Sequence, residues 1–121
     1  MSPFKGQTGL KRILNAASYS LDGLRAAFLG EAAFRQLVLL NCVLIPSAFL
    51  LDVSRGERAL MVAVCLLALI VELLNSAIEA AIDRISLERH PLSKNAKDMG
   101  SAAQFVALGM IAVVWAVILL G

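Results

Sequence analysis

Residues 59–82 form an apolar run long enough to cross a bilayer, yet the run carries Glu72, Asn75 and Glu79. About 20 apolar residues in a helix span the roughly 30 Å hydrocarbon core of a membrane. Hydrocarbon cannot solvate an ionised group, so a charge in such a segment faces protein or a water-filled site and by default marks function. At about 100° per residue, offsets of three and seven place Glu72, Asn75 and Glu79 on one stripe, and Asp83 continues it one turn on. The segment therefore reads as a helix with an acidic ladder along one face.

Two other runs obey the same length constraint. Residues 32–51 carry a single charge, Arg35, with Gln36 beside it near the start and Pro46 near the end, and residues 99–121 carry no charge. With 60% hydrophobic residues in 121, the chain reads as an all-α membrane protein with one domain, 1–121, and three transmembrane helices at 32–51, 59–82 and 99–121. So short a chain has little core of its own, so self-association is expected. The net charge of +2 and the lack of a basic stripe with interleaved aromatics exclude a nucleic-acid-binding signature. Cys42 and Cys65 lie in apolar runs without a partner at metal-ligand or CxxC spacing, so both are expected as small buried hydrophobes.

Ahead of the spans, Pro3, Gly6 and Gly9 mark 1–9 as a loose tail. In 10–28, Leu10, Ile13, Leu14, Ala17, Leu21, Leu24 and Phe28 recur at steps of three and four, with Lys11, Arg12, Asn15, Ser18, Asp22 and Arg25 on the other face. This is an amphipathic helix, lying in the membrane interface or packed on the rest of the protein. It lacks an apolar core followed by a small-residue cleavage site, so no cleavable leader is expected. Residues 52–58 are a short hydrophilic turn. In the longer connection 83–98, Pro91 should begin or end a helix, and Ser93 is a candidate cap for the next.

Basic residues set the orientation. Lys5, Lys11, Arg12, Arg25 and Arg35 lie N-terminal, and Arg84, Arg89, Lys94 and Lys97 lie in the second connection, against Arg55 and Arg58 in the first. The positive-inside bias puts the N-terminus and the second connection in the cytoplasm. Counting from Ala59 at the outer boundary, Glu72 lies roughly 20 Å deep, and Glu79 near the inner headgroups. The ladder opens toward the side where nucleotides and Mg²⁺ are found.

Glu31 begins the first span at the same inner boundary as Glu79. Two carboxylates at one depth suit a hard divalent cation shared with substrate phosphates. Equally, Glu31 could cap its helix or pair with Arg35 at i+4. Glu72 reads either as a neutral carboxyl hydrogen-bonded to Asn75 or a neighbouring helix, or as a general base for a membrane-embedded substrate. Asn75 would orient Glu72 or join helices. Lys97 would hold a phosphate as a point charge, or else it snorkels and Asp98 is a solvated acid. His90 alone reads as a loop residue. No GxxxxGK[ST] loop, GxGxxG, protein-kinase motif or Ser-His-Asp set is present, so any ATP chemistry here uses no familiar nucleotide-binding fold.

The segment ELLNSAIEAAIDR (72–84) resembles the signature of the small prokaryotic diacylglycerol kinases. So do GEAAFRQ (30–36), AKDMGSAA (96–103) and the helical run RILNAASYSLDGLRAA (12–27). The likeness covers nearly the whole chain from about Gly9. It implies a homotrimer in the bacterial inner membrane that moves the γ-phosphate of MgATP to diacylglycerol, with active sites shared between subunits at the cytoplasmic face. By motif, the resemblance makes Glu72 the catalytic base and Glu31 and Glu79 the metal ligands. Nucleotide contacts would come from Arg12, Tyr19, Glu31, Glu79, Glu88, His90, Lys97 and Asp98. Arg25, Phe34, Arg35, Gln36, Glu72 and Ser101 would meet the lipid, with Asn75 in support. Gly30, Leu37 and Arg89 depart from the residues usual in relatives.

Two rivals share the sequence features. Related small kinases phosphorylate undecaprenol and share the NSAIE run (75–79), but the N-terminal and third-span motifs fit diacylglycerol better. A small proton-coupled transporter would use Glu72 as carrier, yet the outer halves of the spans lack the polar residues a continuous path requires.

Overall fold

The computed structural model describes residues 9–121, which form four helices: α1 (Gly9–Gly30), α2 (Ala32–Leu50), α3 (Arg55–Ile85) and α4 (Pro91–Leu120). The tail expected at 1–9 lies, but for Gly9, outside the described residues. The last three helices are long and apolar enough to cross a membrane. At 1.5 Å per residue, α2 is about 28 Å long, whereas α3 and α4 reach about 45 Å. The two long helices therefore exceed the hydrocarbon thickness by about 15 Å.

Each boundary has a local cause. Glu31 leaves helical geometry (φ −123°, ψ 109°) and separates α1 from α2. Arg35 then reaches back, donating from Nη1 to the Phe28 and Leu29 carbonyls at 2.7 and 3.1 Å, so the open end of α1 is closed by a cation. The α2–α3 turn is tighter than 52–58. α3 starts at Arg55 because Ser54 and Glu57 form a reciprocal capping box. Arg58 locks the turn from inside α3, donating Nε to Ala48 O at 2.9 Å and Nη2 to Leu51 O and Val53 O at 3.0 and 3.3 Å. α4 begins at Pro91 rather than near Met99. Proline suits the first helical position, where no N–H is needed, and His90 is the cap, its Nδ1 accepting from the Leu92 N–H at 3.1 Å. Ser93 lies inside the helix and is not the cap.

Interhelical bonds fix the topology. Asn41 Nδ2 donates to Cys65 O at 3.0 Å and Arg58 meets Ala48, so α2 and α3 are antiparallel, with each step along one a step back along the other. Trp115 Nε1 donates to Met61 O at 3.2 Å at one end of α3, and Lys97 meets Asp83 at the other, so α3 and α4 are antiparallel too. The core is thin: Leu37, Val64, Cys65, Ala68, Ala107 and Ile111, with the small alanines letting α3 and α4 approach closely. Large apolar residues such as Leu39, Phe49, Ile70, Phe105 and Val113 point outward. Cys65 is buried as expected, but Cys42 is exposed on the single chain, because its face of α2 is not covered by α3.

Candidate functional site

The α2–α3 register carries Glu31 to the level of Asn75, between Glu72 and Glu79. Residues far apart in sequence thus converge at one end of the bundle, where α3 continues about three turns beyond Glu31. Glu72 is buried at 5% exposure, and among the described residues its carboxyl has no hydrogen bond or ion pair. Both Glu79 and Glu31 stand close enough to act on its charge. Among the described residues Glu31 makes no side-chain cap bond, and Arg35, its i+4 neighbour, is engaged with the carbonyls of α1.

Asn75, half-buried, faces α4 at Gly100. A Cβ at Gly100 would overlap Asn75 Oδ1, so only glycine leaves room for that amide. Asn75 Oδ1 is buried without a partner among the described residues. Beside this contact, Val71, Leu74, Ile78 and Met99 line an apolar groove of about 410 Å³ between α3 and α4.

Beyond the ladder, the α3–α4 connection shapes a cleft of about 750 Å³, within the range of small-molecule sites. Glu88, His90, Lys97 and Asp98 all line it, together with Asp83 and Lys94. Lys97 Nζ donates to Asp83 Oδ1 at 2.6 Å and is also within electrostatic reach of Glu79. Lys94 pairs with Asp98 at i+4. Since His90 Nδ1 accepts from Leu92, a neutral ring carries its proton on Nε2, leaving a donor for a ligand.

The remaining sequence candidates are more scattered. Arg12, Tyr19 and Arg25 lie on exposed positions of α1, with Arg12 and Tyr19 seven residues apart on one stripe. Phe34 is buried, Gln36 and Ser101 are exposed, and Arg35 closes α1. The Asp83–Lys97 pair and the Gly100–Asn75 contact escape a reading of sequence alone. The first joins residues across a connection, and the only local sign of the second is a glycine beside small residues.

Glu31 and Glu79 lie about one helical turn apart along the bundle axis, both within electrostatic reach of Glu72. No group of three or more acidic, His or Cys side chains forms a metal cage among the described residues. Two carboxylates therefore fit a small divalent cation that keeps phosphate and water for most of its shell.

Fold and site together describe a small α-helical membrane-type protein in which Glu31, Glu72, Glu79, Asp83 and Lys97 gather toward one end, with Glu72 buried. Comparison with known proteins narrows this class. The sequence profile for prokaryotic diacylglycerol kinase matches residues 18–119. A diacylglycerol kinase of Pseudomonas aeruginosa is 86% identical over 120 residues, covering 99% of this chain and 98% of its own. Diacylglycerol kinases of Haemophilus influenzae and Escherichia coli K12 are 49% and 48% identical over 112 residues, covering 93% of this chain and 95% and 92% of theirs. The chain belongs to the prokaryotic diacylglycerol kinase family and is an enzyme of lipid metabolism, a kinase.

Proposed function

We propose that this kinase transfers the γ-phosphate of MgATP to the free hydroxyl of diacylglycerol, giving phosphatidic acid and ADP, with Glu72 as general base. One observation carries the assignment: a buried carboxyl without a hydrogen-bonding partner among the described residues, within electrostatic reach of two further carboxylates, in a chain of this family. The lipid hydroxyl gives its proton to Glu72 as its oxygen attacks the γ-phosphorus. The bond from that phosphorus to the β,γ-bridging oxygen breaks, and ADP leaves. Phosphoryl transfer needs positioning and charge neutralisation more than covalent help.

Glu31 and Glu79 would hold Mg²⁺, which when bound neutralises charge on the phosphates. Lys97 presents ammonium donors to the phosphates from the cleft. His90 offers Nε2–H, and Glu88 and Asp98 line the same space. Arg12 and Tyr19 supply contacts from α1. Asn75 shapes the reacting region beside Glu72, and Arg25, Phe34, Arg35, Gln36 and Ser101 shape the lipid approach.

The exposed apolar faces of α2–α4 suit lipid and neighbouring copies, and the full assembly is a homotrimer with shared active sites in the bacterial inner membrane. α1 lies in the interface, and the N-terminus and the cleft face the cytoplasm, following the basic residues. The whole chain, 1–121, acts as one domain. The test is purified protein in mixed micelles with diacylglycerol, undecaprenol and ATP labelled in the γ-phosphate. Labelled phosphatidic acid is expected. Faster labelling of undecaprenol would move the substrate, and no labelled lipid from folded protein would overturn the assignment.

A further inference from the structure

We infer that Asp83 is a positioning residue for Lys97, holding its ammonium between the cleft and the acidic ladder; the inference rests on the kinase reading above. The observation is an ion pair across two helices. Asp83 stands in the last turns of α3 and Lys97 in the second turn of α4, and their 2.6 Å contact bridges the connection that forms the cleft. Asp83 also continues the stripe of Glu72, Asn75 and Glu79. Lys97 lies within electrostatic reach of Glu79 as well.

Both side chains are about half exposed, so the pair adds little to stability. Its consequence is geometric. A lysine ends a flexible four-carbon stem and carries three donors. One donor on Asp83 fixes the stem, and two remain for the phosphates of a nucleotide. Without Asp83, the side chain would have to be ordered when ATP binds. Immobilising one such side chain costs about 0.5–1.5 kcal/mol, or about two- to tenfold in affinity.

The experiment measures phosphatidic acid formation by wild type, Asp83→Asn, Asp83→Glu, Lys97→Met and the double variant Asp83→Asn/Lys97→Met, with ATP varied. Asp83→Asn is expected to raise KM for ATP about two- to tenfold with kcat changed less, and Asp83→Glu to recover most of the loss. In the Lys97→Met background, Asp83→Asn should have no further effect, because its action passes through the lysine. Unchanged KM in Asp83→Asn, or losses that multiply in the double variant, would overturn the positioning role while an active wild type keeps the kinase reading. An inactive but folded wild type would overturn both.

Discussion

Replacing Gly100 by alanine separates the fit of Asn75 from the stability of the bundle. The added Cβ would overlap Asn75 Oδ1 and come within 3.2 Å of Asn75 Cγ, while the Asn75 backbone stays 3.9 Å away. The clash therefore falls on the rotatable end of a side chain, and the amide turns before the helices part. Overpacking costs about 1–3 kcal/mol. Alanine recovers about 1 kcal/mol of helix propensity over glycine, leaving a net stability loss below about 2 kcal/mol. Turnover should suffer more. On the proposed reading Asn75 shapes the space beside Glu72, so displacing it should slow turnover, and a tenfold loss corresponds to about 1.4 kcal/mol of barrier. Gly109→Ala, where none of the described residues lies within 4 Å of the new Cβ, is the control on the same helix. Turnover in mixed micelles would be read beside unfolding followed by the fluorescence of Trp115, the single tryptophan. Gly100→Ala is expected to stay folded with at least about tenfold lower kcat, and Gly109→Ala to match wild type. Wild-type kcat in Gly100→Ala, or an equal fall in Gly109→Ala, would refute the reasoning.

At the opposite end of the bundle, Arg58→Met should lower stability by about 2–3 kcal/mol, chiefly by stranding the carbonyl of fully buried Ala48. The KM for ATP should not move, and titration with denaturing detergent alongside kinetics would check both. Chelating divalent cations should abolish phosphatidic acid formation without unfolding the protein, and added Mg²⁺ should restore it. Circular dichroism before and after separates loss of metal from loss of fold.

Much of this molecule was legible before its structure. The three apolar runs have lengths that only helices satisfy, and the stripe from Glu72 to Asp83 follows from helical periodicity alone. The ends of the helices were less so. The first connection looked hydrophilic from Asp52 to Arg58, but Arg58 turns inward to carbonyls, and the Ser54–Glu57 capping box starts α3 inside that polar stretch. Likewise Lys94, Lys97 and Asp98 read as connection, although the proline at 91 and the imidazole of His90 had already begun α4. Hydropathy marks where a helix enters hydrocarbon, whereas caps mark where it begins, and here the two differ by about one turn at α3 and two at α4. The site divided in the same way. Glu72 betrayed itself by its cost. Arg35 gave no local hint that it closes α1, nor Cys42 that its face stays uncovered, because both depend on which helix packs where.

The central claim is that Glu72 accepts the proton of the lipid hydroxyl, and Glu72→Gln tests it most directly. The substitution keeps the shape of the side chain and removes its basicity. kcat for phosphatidic acid formation should fall by about 10²–10⁴-fold, with the KM for ATP and the unfolding transition close to wild type. A Glu72→Gln enzyme that turns over at the wild-type rate would contradict the account.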